Sequence, residues 1–136
     1  RKKGCEVDVF CLQKKYYSGD AFRAFRKLQI KVKDISDFKI RSKSIIIDCI
    51  FGSGLSRKIL GNLKDIIYKI NRSKKTIISI DIASGIHGDT GKIMGCAVRA
   101  NITLALHAKL IGQTLNPGKK YSGKIKIVDI GLSKKI

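Results

Sequence analysis

The segment "IIIDCIFGSGLSRKIL", Ile45–Leu60, places a carboxylate, Asp48, inside a run of apolar and mostly β-branched residues. A buried carboxylate must be paired, hydrogen-bonded or metal-bound, because burying it bare costs more than a fold can bear. Two arrangements would meet that demand. One is a salt bridge to a lysine. The other is a cation held by Asp48 and by oxygens of a neighbouring turn, such as Ser84. The donors on offer are oxygens, which suits a hard cation rather than zinc.

The same segment continues into "FGSGLSRK": Phe51, Gly52, Ser53, Gly54, Leu55, Ser56, Arg57 and Lys58. Here a strand hands over to a helix, and ligands of open parallel sheets bind outside the carboxyl ends of strands. Gly52 and Gly54 allow close backbone approach. Ser56 is placed to cap the helix, and Arg57 or Lys58 adds positive charge. Free amides and the helix dipole would then favour a phosphate. A plain glycine turn before a helix is the competing reading. The dinucleotide pattern G-x-G-x-x-G is absent, since Arg57 stands where its third glycine would be.

A second strand ends in "SIDIASGIHGDTG", Ser79–Gly91. Asp81 sits at the carboxyl end of that strand, with Ser84 and Gly85 in the turn beyond. Two strand ends thus each carry an acid and a glycine-bearing turn, which points to a shared site. The alternative for Asp81 is a simple turn or helix-cap aspartate. His87 lies in a glycine loop and His107 ends a strand; lone histidines at such positions are more often structural than catalytic. No Ser–His–Asp set, P-loop or paired-carboxylate motif is present.

The elements that must position these residues follow from periodicity. Strands are predicted at Glu6–Leu12, weakly at Ile30–Asp34, then at Ile45–Ile50, Thr76–Ile82, Asn101–Leu106 and Lys124–Ile130. Ile45–Ile50 and Thr76–Ile82 read as strands covered on both faces. Helices are predicted at about Gly19–Leu28, with Phe22, Phe25 and Leu28 on one face, and at about Ser56–Ile70. The single proline, Pro117, falls in the turn-like "NPGKKYSG". Alternating strands and helices indicate an α/β fold with a largely parallel sheet.

With 136 residues, 43% of them hydrophobic, the chain suits one domain with a packed core. Its first residue is Arg1, and "RKKGCEVDVF" reads as a helix end running into a strand, so a start further upstream is expected. No apolar run reaches the roughly 18–20 residues of a membrane span. Cys5, Cys11, Cys49 and Cys96 form no C-x-x-C pair. They read as small buried hydrophobes in a reducing compartment. The net charge is +19, from 29 Lys+Arg against 10 Asp+Glu. That is enough to attract polyanions. The basic residues are spread along the chain, however, and fit a lysine-rich surface better than a nucleic-acid site.

Four segments in order, "IDCIFGSGLSR", "SIDIASGIHGDTG", "AVRANITLALHAKLIGQTLNPG" and "GKIKIVDIGL", resemble the YjeF N-terminal domain family, the NAD(P)H-hydrate epimerases. "KKGCEVDVFCL" resembles that family's second strand and its lead-in. The resemblance implies a Rossmann-like three-layer sandwich, here incomplete at its N-terminus, and an isomerase that interconverts the R and S forms of hydrated NADH or NADPH. It also implies a cytoplasmic homodimer and a dehydratase, separate or fused, that takes the S form. Carried over by position, Asp48 and Ser84 match potassium ligands. Gly52–Lys58 match the loop binding the substrate phosphates, and Asp81 matches the substrate-binding aspartate, our candidate acid/base. Ala83 stands where the family usually has proline. The family's Asn-Asn-Gly-Gly-Asp loop is not found within this sequence and is expected upstream of Arg1. The alternative implied by the same resemblance is a non-catalytic nucleotide- or RNA-binding dimerisation module, which would have no need of Asp48, Asp81 and Ser84.

Overall fold

The computed structural model describes residues 4–12 and 18–132. The helix end read at residues 1–3 lies outside the described residues. The chain divides into two compact units, Arg1–Lys39 and Ile40–Ile136.

The first unit holds strand β1 (Val9–Cys11), helix α1 (Gly19–Arg26) and strand β2 (Val32–Asp34). β1 and β2 pair in parallel, with Val9 opposite Val32 and Cys11 opposite Asp34. The weak strand expected near Ile30–Asp34 is therefore real, and its partner is the alternating "EVDVFCL" segment. Lys33 Nζ meets Asp8 Oδ1 at 2.9 Å, and the Phe10 and Phe38 rings pack edge to face. Asp34 accepts the Ser36 N–H and so opens the short 3₁₀ turn Ile35–Asp37.

The second unit is a four-stranded parallel sheet in the order β3 (Ile46–Asp48), β4 (Ile77–Ile80), β5 (Ile102–Leu106) and β6 (Lys124–Val128). Every pairing is parallel, with Asp48 opposite Ser79, Ile80 opposite Leu104, and Ala105 opposite Ile127. This is α/β architecture of the Rossmann-like kind, as the alternating pattern requires. The apolar run at β3 is less covered than expected. Ile46 and Asp48 are buried, but Ile47 is 54% exposed, because β3 is an edge strand and its side chains alternate between faces.

Helix α2 (Asn62–Arg72) follows β3 and buries Ile66, Ile67 and Ile70. Each buried isoleucine contributes about 1.5–3 kcal/mol, so Ile67→Ala would cost about 2–5 kcal/mol. Lys69 and Arg72 in its last turn complement the negative end of the helix dipole.

The helix was expected to start at Ser56, and it does not. Residues 56–61 are non-helical. Ile59 is 3% exposed and donates its N–H to the Met94 carbonyl at 2.9 Å. A Cβ on Gly95 would lie only 2.7 Å from the Ile59 carbonyl oxygen. Packing against residues 94–95 thus overrides local helix propensity. The chain enters α2 only after Gly61, whose φ of +61° suits glycine. Ser56 is therefore not a helix cap.

A further short helix, α3 (Gly118–Ser122), occupies the proline-bearing segment read as a turn. The core beyond the sheet gathers Ile82, Ala83, Ile86, Ala97 and Ala100, with Ile93, Leu110 and Tyr121 packed against them. The turn that follows β4 is therefore part of the core, which fixes its position.

Of the four cysteines, all unpaired, Cys96 is buried and Cys11 is half-buried, but Cys5 and Cys49 are exposed. Cys5 precedes the short strand β1 and Cys49 follows β3, so neither takes the interior strand position expected of it.

Candidate functional site

The site sits at the carboxyl ends of the neighbouring strands β3 and β4. Asp48, the last residue of β3, is 1% exposed. Its Oδ2 accepts the Ser79 hydroxyl at 2.7 Å and the Ser84 N–H at 2.9 Å. Its Oδ1 accepts the Ser84 hydroxyl at 2.6 Å and the Ile50 N–H at 3.3 Å. The buried charge is thus met by four donors and not by a lysine, as a buried carboxylate demands. The expected salt bridge to a lysine is not formed; the acid is a hydrogen-bonded node between two strand ends.

Ser84 is fully buried and completes that node. Its Oγ accepts the Phe51 N–H at 2.9 Å and lies 3.2 Å from the Phe51 carbonyl oxygen. Asp48 Oδ1, Ser84 Oγ and Phe51 O therefore gather from two turns, and among the described residues no buried side-chain polar atom lacks a partner. One carboxylate with a hydroxyl and a carbonyl oxygen is a donor set that fits a hard cation. Among the described residues no three His, Cys, Asp or Glu side chains come together, so soft-metal ligation has no basis in this cluster. Next to Asp48, the Cys49 thiol is pushed up in pKa, first by desolvation of the sulfur and then by the Asp48 charge.

Asp81 follows the last residue of β4 and is half-buried. Its φ is +69°, and Ile82 N–H bonds back to the Ile80 carbonyl at 2.9 Å across it. Positive φ with an i→i+2 bond marks the rare, strained γ-turn. Asp81 Oδ2 accepts the Ser53 N–H at 3.2 Å, and among the described residues Oδ1 makes no hydrogen bond. The structure therefore brings the glycine loop to the acid, as the two strand-end motifs suggested. Gly52 fits this approach closely: a Cβ there would lie 3.3 Å from Asp81 Oδ2.

Within the loop, Leu55 is 7% exposed and anchors it, while Gly52, Ser53, Gly54, Ser56, Arg57 and Lys58 are exposed. Leu55 N–H bonds to the Gly52 carbonyl at 3.4 Å and closes a turn. Helix α2 begins at Asn62, beyond this turn and not at it. Arg57 and Lys58 are the charged side chains that the loop exposes.

His87 has a structural part. Its Nδ1 accepts the Asp89 and Thr90 N–H groups at 3.2 and 3.4 Å, which leaves the proton on Nε2. His107 follows β5 with φ +66° and donates its N–H to the Val128 carbonyl. Two contributors were missed in sequence. Ser79 carries the same signal as Asp48, a polar residue within an apolar strand. Gln113, 0% exposed, donates its Nε2–H to the Asp81 carbonyl at 2.7 Å; nothing in "LIGQTL" marks it.

A separate hollow of about 290 Å³ lies elsewhere, lined by Tyr68, Asn71, Arg72, Cys96, Arg99 and Tyr121 among others. Its residues come from the end of α2 and the approaches to β5 and β6, at the amino edge of the sheet. The carboxylates at the opposite edge do not line it. Arg72 there complements a helix C-terminus, where the dipole disfavours an anion.

These features define a parallel α/β domain with a polar site at the carboxyl ends of β3 and β4. The family model described as YjeF-related protein N-terminus matches residues 1–112, and the chain belongs to that family. An NAD(P)H-hydrate epimerase of Limosilactobacillus reuteri is 36% identical over 100 residues, covering 73% of this chain and 47% of the relative. One from Lentilactobacillus buchneri is 44% identical over 87 residues, covering 64% and 40%. A bifunctional NAD(P)H-hydrate repair enzyme Nnr of Dictyoglomus turgidum is 40% identical over 105 residues, covering 76% and 20%. The chain spans less than half the length of each of these curated relatives. Among the described residues no helix is long and apolar enough to cross a membrane.

Proposed function

We propose that the protein to which this chain belongs is an NAD(P)H-hydrate epimerase, interconverting the R and S forms of hydrated NADH or NADPH. The observation that carries the reading is the meeting of Asp81 with the Gly52–Ser53 turn, the Ser53 N–H lying 3.2 Å from Asp81 Oδ2. The names of the relatives agree with it. In the hydrated cofactor the carbon bearing the hydroxyl sits beside the ring nitrogen. The nitrogen lone pair can expel the hydroxyl once an acid protonates it, and water can return to the other face. Asp81 supplies that proton and takes one back from the incoming water. The strained backbone at Asp81 fits a residue held for chemistry.

Ser53, Ser56, Arg57 and Lys58, exposed on the loop anchored by Leu55 and Ile59, would bind the substrate phosphates. Asp48 and Ser84, with the Phe51 carbonyl, would hold a potassium ion. Bound there, the ion would add positive charge beneath the loop and favour the anionic substrate. The buried node makes the two turns one rigid seat. A cytoplasmic homodimer handing the S form to an ADP- or ATP-dependent dehydratase, separate or on the same chain, completes the reading; the four unpaired cysteines suit a reducing compartment.

The test is Asp81→Asn in the full-length protein, with R-to-S conversion followed through a coupled dehydratase. Epimerisation should fall by about 100-fold or more, since acid–base catalysis contributes about 10²–10⁴. A near-normal rate would remove Asp81 from the chemistry.

A further inference from the structure

We infer that Gln113 is a positioning residue for Asp81, holding the strained backbone from which the acid is presented. This rests on the role given to Asp81 above. A non-glycine residue in left-handed backbone costs about 1–3 kcal/mol and persists only where its surroundings over-determine it. Both peptide groups of Asp81 are held from outside its own turn. Its N–H bonds to the Leu104 carbonyl at 2.8 Å. Its carbonyl accepts Gln113 Nε2–H at 2.7 Å. The first bond belongs to the sheet edge; the second is made by a side chain 32 residues away.

The Gln113 amide has one orientation that satisfies its partners. Oε1 accepts the Leu110 N–H at 2.9 Å, so Nε2 is the end that faces Asp81. Its seat is equally defined. Gln113 ends the 3₁₀ turn Ile111–Gln113, and Gly112 N–H bonds to the Gly88 carbonyl. A Cβ on Gly112 would lie 2.2 Å from the His87 carbonyl oxygen, so that turn is pressed against the 87–88 backbone. Replacing the glutamine by an apolar residue would take the side-chain partner from two half-buried backbone groups, the Asp81 carbonyl and the Leu110 N–H. Asp81 would then be free to leave its γ-turn and move its carboxylate away from Ser53.

The experiment uses the full-length enzyme and the coupled R-to-S assay on wild type, Asp81→Asn, Gln113→Met and the double variant. Methionine keeps the side chain's length and removes the amide. Gln113→Met should lower kcat about 10- to 100-fold with KM within about twofold, the cost of a misplaced catalytic group. In the Asp81→Asn background, the Gln113→Met change should add no further loss, because Gln113 acts only through Asp81. A Gln113→Met enzyme with wild-type kcat, beside a collapsed Asp81→Asn enzyme, overturns the proposal and leaves the role of Asp81 standing. Multiplied losses in the double variant overturn it too, since they mean Gln113 acts independently. A normal Asp81→Asn rate overturns the role of Asp81 and this proposal with it. Should Gln113→Met fail to fold, Gln113→Glu replaces it: its kcat relative to wild type should rise on acidification, as a protonated carboxyl regains the donor to the Asp81 carbonyl. A ratio that stays flat with pH overturns the proposal.

Discussion

Ser84 Oγ donates to Asp48 Oδ1 at 2.6 Å, joining turns that lie 36 residues apart in sequence. The same hydroxyl accepts the Phe51 N–H. A single serine therefore ties the end of β3, the start of the glycine loop and the turn after β4. Through this tie a buried acid becomes the foundation of a surface loop.

Asp48→Ala should be strongly destabilising. It takes the acceptor from the Ser79 hydroxyl and the Ser84 N–H, and leaves the Ser84 hydroxyl only the Phe51 carbonyl at 3.2 Å. Stranding buried donors is more costly than the net worth of the bonds, so the loss should be about 3 kcal/mol or more. Ser79→Ala, which removes one donor and leaves three, should cost about 1 kcal/mol. Urea unfolding of the full-length protein reads both. Equal, small losses would mean that the carboxylate is not held as described.

If Asp48, Ser84 and the Phe51 carbonyl hold potassium, the ion must stabilise the folded state by mass action. At about 100 times its dissociation constant the gain is about 2.7 kcal/mol. Thermal unfolding in potassium chloride should therefore occur at higher temperature than in choline chloride of equal ionic strength. Ser84→Ala should shrink that difference. Identical curves for the wild type would dismiss the ion at this position.

Much of this arrangement was legible in the sequence, for a definite reason. Asp48 was conspicuous because strands covered by a core do not tolerate a bare charge. Asp81 and Ser84 were conspicuous because small and acidic residues bunch where a strand ends. The loop was misread in one respect. A helix is predicted from Ser56, but the Ile59 N–H donates to the Met94 carbonyl instead of to a helical turn. That contact is non-local, and no local pattern reports it. Gln113 was illegible for the same reason: its partner is the backbone of Asp81, which any residue supplies.

Gly85 and Gly52 should respond differently to alanine. Gly85 has φ +98°, and a Cβ there would lie 2.0 Å from the Cys96 carbonyl oxygen. Both strain and a backbone clash oppose it, so Gly85→Ala should cost more than about 3 kcal/mol and yield little folded protein. At Gly52 the new methyl would meet only Asp81 Oδ2, at 3.3 Å. A shift of a few tenths of an ångström relieves that contact, so Gly52→Ala should fold. Its penalty should fall on the acid that must move, as a lower kcat in the coupled assay. A Gly52→Ala enzyme with full activity would show that Asp81 tolerates displacement.

The Cys96 thiol gives the protein an alkaline weakness. Cys96 is 4% exposed, and burial pushes its pKa above the ordinary thiol value of 9.0, while Lys64 pulls partly the other way. The folded state therefore holds this proton more tightly than the unfolded chain does. Between the ordinary value and the raised one, the unfolded state loses its proton first, so stability falls as pH rises. Below about pH 9 the contribution is fully present. Urea unfolding of wild type and Cys96→Ala from pH 7 to 10.5 checks this. The wild type should lose stability faster above pH 9, and the gap between the two should narrow. Parallel pH curves would show that Cys96 carries no such linkage.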